Sequence, residues 1–143
     1  MSEIMNVELL IALPFIGAFL VAFLPATGSR LLSLLVTLAT LSVAGNIFAT
    51  FDGTNSADFT LNIPWMNDLG VNLHLAVDGL HLYLLLLTTL IFAVVLVCSW
   101  TTAACRRPLF LTLLLFLEAG LVGTFLSQNL ILFFIFWEAV LIP

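Results

Sequence analysis

Residues 108–143 read "PLFLTLLLFLEAGLVGTFLSQNLILFFIFWEAVLIP", and this stretch decides the fold. Two apolar runs meet at the polar triplet Ser127, Gln128 and Asn129, and each run carries a single acid, Glu118 in the first and Glu138 in the second. A membrane span takes about 20 mostly apolar residues, so the first run is a complete span and the second, opening near Leu130, is the beginning of another. Glu118 lies ten residues after Pro108 and Glu138 nine after Asn129. At about 1.5 Å per residue each sits roughly 13 to 15 Å deep, near the middle of a hydrocarbon core about 30 Å thick.

Working outward, three more apolar stretches of span length precede these, at approximately 7–25, 30–50 and 79–100. The expected architecture is all-α integral membrane: four complete transmembrane helices (7–25, 30–50, 79–100 and 108–127) and a truncated fifth at 130–143, with a loop at 51–78. The fifth stretch has 14 residues, about 21 Å of helix, which is short of the core thickness. The whole of 1–143 therefore reads as one N-terminal membrane fragment of something longer.

Composition agrees. Of 143 residues 63% are hydrophobic and 8% charged, against roughly 45 to 50% apolar usage in soluble domains. Eight acids against three basic residues, all arginine, give a net charge of −5 and leave no basic patch, which excludes nucleic-acid binding. The opening "MSEIMNVELL" carries Glu3 and Glu8 where a secretory signal carries positive charge, so the first apolar run is expected to stay as a helix. Cys98 and Cys105, seven apart around a helix end, fit neither a CxxC site nor a disulfide framework and read as free thiols.

Arginine placement gives an orientation. Arg30 falls between the first two spans and Arg106 and Arg107 between the third and fourth, whereas 51–78 holds Asp52, Asp58 and Asp68 and no basic residue. Short loops rich in arginine stay cytoplasmic, so the N-terminus is expected outside, in a multi-pass protein of a bacterial inner membrane. In the outer loop Phe59, Leu61 and Ile63 alternate with Thr60 and Asn62, and Val71, Leu73 and Leu75 with Asn72 and His74, around "PWMNDLG". Period-two alternation on both sides of a turn-rich segment predicts an outer-face β-hairpin between helices two and three. A loop without regular structure is the alternative.

A charged side chain at mid-membrane costs on the order of 2.5 to 3.5 kcal/mol on the mildest insertion scale. It is accommodated by facing a bundle interior, by pairing with a cation or water, or by taking up a proton. Glu138 and, more weakly, Glu118 are thus candidates for proton translocation, with a helix-packing hydrogen bond as the plainer role for Glu118. The arginines all sit at helix ends, so an ionic partner for Glu138 is expected on other sequence or another subunit. Asp78 precedes the third helix and reads as its N-cap, and His81 lies beside it at the interface, the pair forming a possible outer-face polar site. His74 and His81 lack the acid or thiol cluster that a metal site needs. Gly120 and Gly123 put small residues beside Glu118, where a neighbouring helix can approach; Asn46, Thr88 and Thr89 read as interhelical hydrogen bonds. No phosphate loop, nucleophile elbow or cysteine cluster is present, so no cofactor or metal is expected on this chain.

The string "LEAGLVGTFLSQNLILFFIFWEAVLIP", with "CRRPLF" before it and "VDGLHLYLLLLTTLI" further upstream, resembles the NADH-quinone oxidoreductase subunit M (chain 4) family, antiporter-like membrane subunits of respiratory complex I. "FWEAVLIP" is the most specific part. The likeness covers about 70–143 well and 1–69 in helix layout only. It implies a fourteen-helix subunit with two inverted five-helix repeats, in which Glu138 matches the essential acid of the fifth helix that works with a lysine on the seventh. Acids are common in that family at the segment of Glu118, and surface hairpins link neighbouring subunits. His81, where the family often has a small hydroxyl residue, and Phe92 to Val94, where a proline is common, depart from it. The partners implied are the other membrane-arm subunits, which hold NADH, FMN, iron–sulfur clusters and quinone, and the lipid bilayer. A multi-subunit sodium/proton antiporter or a membrane-bound hydrogenase shares the fold and the fifth-helix acid, and a purely structural membrane component stands as a third reading.

Overall fold

Prolines and capping side chains set where the helices begin. The computed structural model describes residues 2–51, 60–66, 71–102 and 107–143. Helix α1 runs Ser2–Phe23 and α2 Ala26–Thr50, separated at Pro25, whose extended backbone (φ −66°, ψ 156°) stands at the start of α2. α1 starts upstream of the expected residue 7 and α2 upstream of 30, because polar residues outside the hydrocarbon do not stop a helix as they stop a hydropathy run. Asp78 caps α3 (Gly79–Cys98), its side chain accepting the Gly79 N–H at 2.7 Å. Pro108 opens α4 (Pro108–Leu126) at the position where a missing N–H costs nothing. Asn129 caps α5 (Leu130–Leu141), accepting the Ile131 N–H at 3.0 Å.

Among the described residues four helices, α1 to α4, are long and apolar enough to cross a bilayer; α5, with 12 residues, is about 18 Å long. The chain is a multi-pass membrane protein. α1 packs along both α2 and α4, α3 packs on α2 and α4, and α5 lies on α4. Gly17 lets α1 approach α2 closely: a Cβ there would come within 2.7 Å of Val36 Cγ1.

Between α2 and α3, β1 (Thr60–Met66) pairs antiparallel with β2 (Val71–Ala76), Thr60 opposite Ala76 and Met66 opposite Val71, with an irregularity between Pro64 and Met66. Residues 67–70, where the expected turn falls, and 52–59, with Asp52, Asp58 and Phe59, lie outside the described residues. The second edge of β2 is also engaged. Leu75 bridges to Ser127, and the Gln128 N–H donates to the His74 carbonyl at 2.9 Å, which ties the strands to the α4–α5 connection.

Two apolar clusters fill the bundle. One joins Val7 and Leu10 of α1, Ala44 and Ile47 of α2, Leu82 and Leu85 of α3, and Val122 and Leu126 of α4, and reaches Leu75 and Val77. The other joins Ala18 and Val21, Leu96, and Leu111 and Leu115. Between the clusters stand buried residues of another kind, Pro14 on α1, Thr89 on α3 and Glu118 on α4, whereas the buried face of α2 is hydroxylic from Ser29 to Thr40 and apolar only at Ala44 and Ile47.

Candidate functional site

Glu118 occupies a core position. Leu111, Leu115, Glu118, Val122 and Leu126 follow one another at intervals of three or four along the buried face of α4, the spacing that puts them on one helical stripe. The carboxylic acid is fully buried. Its Oε2 accepts a hydrogen bond from the Thr37 hydroxyl of α2 at 3.2 Å, and its Oε1 has no hydrogen-bond partner among the described residues. Buried polar atoms nearly always find a partner, so Oε1 is the atom of Glu118 open to a further hydrogen bond.

Glu138 sits in the opposite circumstance. α5 contacts α4 through Phe136, which lies over Gly123, and Val140, which lies over Gly120, where a Cβ would come within 2.8 Å of Val140 Cγ2. At about 100° per residue, Glu138 is turned about 200° from Phe136. It is exposed, in a row with exposed Phe134, Trp137 and Leu141, on the face of α5 that no other described element covers.

The two acids are therefore directed apart. On α4, Gly120 and Gly123 stand about 200° and 140° round the helix from Glu118. The glycines do admit a neighbouring helix closely, but on the α5 side, whereas Glu118 faces α2. The glycines thus serve helix packing, and the 3.6-residue turn, which separates i from i+2 widely, directs the helix they admit away from Glu118.

The remaining candidates are placed singly. Asp78 is exposed and its side chain is used in the α3 cap. His81, in the first turn of α3, is half-buried, with Nδ1 buried and without a hydrogen-bond partner among the described residues. Among the described residues no three of His, Cys, Asp and Glu come together as a metal centre would require. Cys98 is an exposed free thiol, whereas Cys105 and Arg106 lie outside the described residues. Thr88 and Thr89 do not bond across helices: their hydroxyls donate to their own helix, to the Leu84 carbonyl at 2.7 Å and the Leu85 carbonyl at 3.1 Å. Asn46 is exposed, off the buried face of α2. The two threonines satisfy their hydroxyls on an i−4 carbonyl of their own helix, and Asn46 faces away from the bundle.

One feature escaped the reading of the sequence. The buried face of α2 consists of Ser29, Ser33, Thr37, Thr40, Ala44 and Ile47. Four hydroxyl residues at intervals of four, four and three had marked it, had the polar residues of that span been asked to share a face as apolar ones are.

No family model matches the chain. Subunit M of the NADH-quinone oxidoreductase of Pseudomonas aeruginosa is 35% identical over 94% of this chain and 28% of its own length. Among solved structures, a chain of respiratory complex I from Thermus thermophilus with bound NADH superposes with a TM-score of 0.82 at 28% identity, covering 96% of this chain and 27% of that one. A chain of the membrane-bound sulfane sulfur reductase, an archaeal respiratory membrane complex, shares the fold with a TM-score of 0.75 at 18% identity, over 94% of this chain and 21% of its own. The chain thus spans under a third of the curated relatives it matches. Over nearly its whole length, in sequence and in fold, it resembles the N-terminal part of NADH-quinone oxidoreductase subunit M, also named chain 4.

Proposed function

We propose that this chain is the front part of a proton-translocating, antiporter-like subunit of an NADH-quinone oxidoreductase, and that Glu138 is its principal proton-handling acid. The observation that carries this reading is the position of Glu138. It lies eight residues into α5, on a face otherwise made of exposed Phe, Trp and Leu side chains. A carboxylate held against lipid at that depth is costly, so the open face of α5 is closed by further helices, and the acid meets a cation there. Quinone reduction elsewhere in the complex would shift charge along the membrane arm. Glu138 would then pair with that cation or release it, changing the proton affinity of both.

On this reading the chain itself performs no redox chemistry. NADH, FMN, iron–sulfur clusters and quinone belong to partner subunits, and the neighbouring antiporter-like subunits of the membrane arm and the bilayer are its contacts. Glu118 takes a secondary part in proton movement, and Asp78 and His81 form a polar rim on the outer face. The membrane is a bacterial inner membrane with the N-terminus outside, supported by Arg30 and Arg107 at the starts of α2 and α4 and the preference of arginine-rich loops for the cytoplasm.

A multi-subunit sodium/proton antiporter or a membrane-bound hydrogenase is the second reading, since the fold occurs also in a complex that is not an NADH-quinone oxidoreductase. Proton pumping by the intact complex carrying Glu138→Gln tests the proposal. Loss of most pumping with assembly intact is expected; near-normal pumping with normal assembly would sink it. Pumping abolished by sodium removal alone would favour the second reading.

A further inference from the structure

We infer that Ser29, Ser33 and Thr37 of α2, together with Glu118, form a one-sided proton-access line that runs from the end of the bundle where α2 begins to the carboxyl group of Glu118. The inference rests on reading Glu118 as a proton-handling group and is independent of Glu138, which faces the other way on a different helix.

Four observations carry it. Ser29, Ser33 and Thr37 are all fully buried, and so is Glu118. The last hydroxyl of the line reaches the acid directly, Thr37 Oγ1 donating to Glu118 Oε2 at 3.2 Å. The other carboxyl oxygen, Oε1, is buried without a hydrogen-bond partner among the described residues, so it is the oxygen of the pair able to take up a proton or accept a further hydrogen bond. Finally the stripe is asymmetric. On α2 it is hydroxylic from Ser29 to Thr40 and turns apolar at Ala44 and Ile47, which belong to the first cluster. Thr124, a buried hydroxyl at that cluster's level on α4, bonds to the Gly120 carbonyl at 2.8 Å and so shares the α5 side of the helix with it.

The chemistry fits the spacing. Ser29 donates to the Ala26 carbonyl at 3.0 Å and Ser33 to the Ser29 carbonyl at 2.7 Å, so their hydrogens are committed and their lone pairs are the groups left to offer. Side chains one turn apart stand about 5 to 6 Å from each other, the distance one water bridges with two hydrogen bonds of about 2.8 Å. From Ser29 to Thr37 the line covers about 12 Å. A proton entering at the Ser29 end passes along such waters to Oε1, where one carboxylate becomes one carboxylic acid; release runs back the same way, and nothing is oxidised or reduced. Packing alone accounts for small residues on a helix face, but it accounts neither for an acid with an unpaired oxygen at the end of the stripe nor for the change of character beyond Thr40.

The test is infrared spectroscopy of membranes holding the intact complex. The protonated carboxyl band that disappears in Glu118→Gln identifies the group, and its shift after a switch to D2O times the exchange. Ser33→Val and Thr37→Val are expected to slow that shift at least tenfold. Thr37→Ser, which keeps the hydroxyl, and Thr40→Val, which lies beyond Thr37 on the far side from the entry, are expected to leave it within twofold. Absence of any band lost with Glu118→Gln, a rate that Ser33→Val leaves unchanged, or equal slowing by Ser33→Val and Thr40→Val would each overturn the inference. Because the readout is exchange at Glu118, it can fail while Glu138→Gln still abolishes pumping, and the reverse.

Discussion

Replacing Gly123 by alanine is expected to loosen the seat of α5, and the size of the effect follows from one contact. A Cβ at Gly123 would stand 2.7 Å from Phe136 Cγ, whereas carbon atoms rest at about 3.5 to 4.0 Å. Cγ is the root of the ring, so no swing of its far edge relieves the overlap, and α5 must back away from α4 by about 1 Å. Overpacking of this kind costs about 1 to 3 kcal/mol, against a gain of about 0.8 to 1 kcal/mol for alanine over glycine inside a helix. Gly45 of α2 isolates the second term, since a Cβ there meets nothing within 4 Å among the described residues. The two variants should therefore differ by about 1 to 3 kcal/mol, Gly45→Ala being the more stable. SDS titration of the purified protein in mixed micelles, followed by circular dichroism, measures the difference. Phe136→Leu in the Gly123→Ala background should recover at least half of the loss, the coupling expected of touching residues. Equal stability of the two alanine variants, or no recovery with Phe136→Leu, would refute the close-packed α4–α5 seam.

Asp78→Ala should weaken the start of α3 by about 1 kcal/mol, with Asp78→Asn close to the parent, read as faster amide hydrogen exchange over 79–82 and not elsewhere. Cys98, exposed at the end of α3, should react in a Cys105→Ser variant with a membrane-impermeant maleimide in inside-out vesicles and not in spheroplasts; the reverse pattern would invert the arginine-based topology.

The spans were legible because hydrophobic length is a one-dimensional property, read without knowing which way any side chain points. Asp78 was legible for a similar reason, since a cap depends on position relative to a helix start and on little else. Facing was not. α4 is apolar almost all round, so nothing in "LFLTLLLFLEAGLVGTFL" tells which side Glu118 takes, and its separation from Gly120 and Gly123 emerges only when α2 and α5 are seen to occupy opposite sides. The same holds for Glu138, whose exposure depends on which α5 residues meet the glycines. The α2 stripe lies between these cases. Its hydroxyls have helical spacing that is present in the sequence, but in a membrane the inner face need not be the more apolar one, and a search for apolar periodicity passes over it.

The clasp between β2 and the α4–α5 connection has a consequence for how the protein is made. Gln128 bonds the His74 carbonyl and its side chain reaches the Ala76 carbonyl 52 residues away, and both α3 and α4 lie in between. A chain emerging N-terminus first presents both strands well before it presents Ser127 and Gln128. β1 can pair with β2 at once, but the other edge of β2 must wait until two further helices have crossed the bilayer and turned. The clasp is thus a late closure, made only by a chain whose third and fourth helices have inserted in the right order, and its formation reports that the bundle has been threaded correctly.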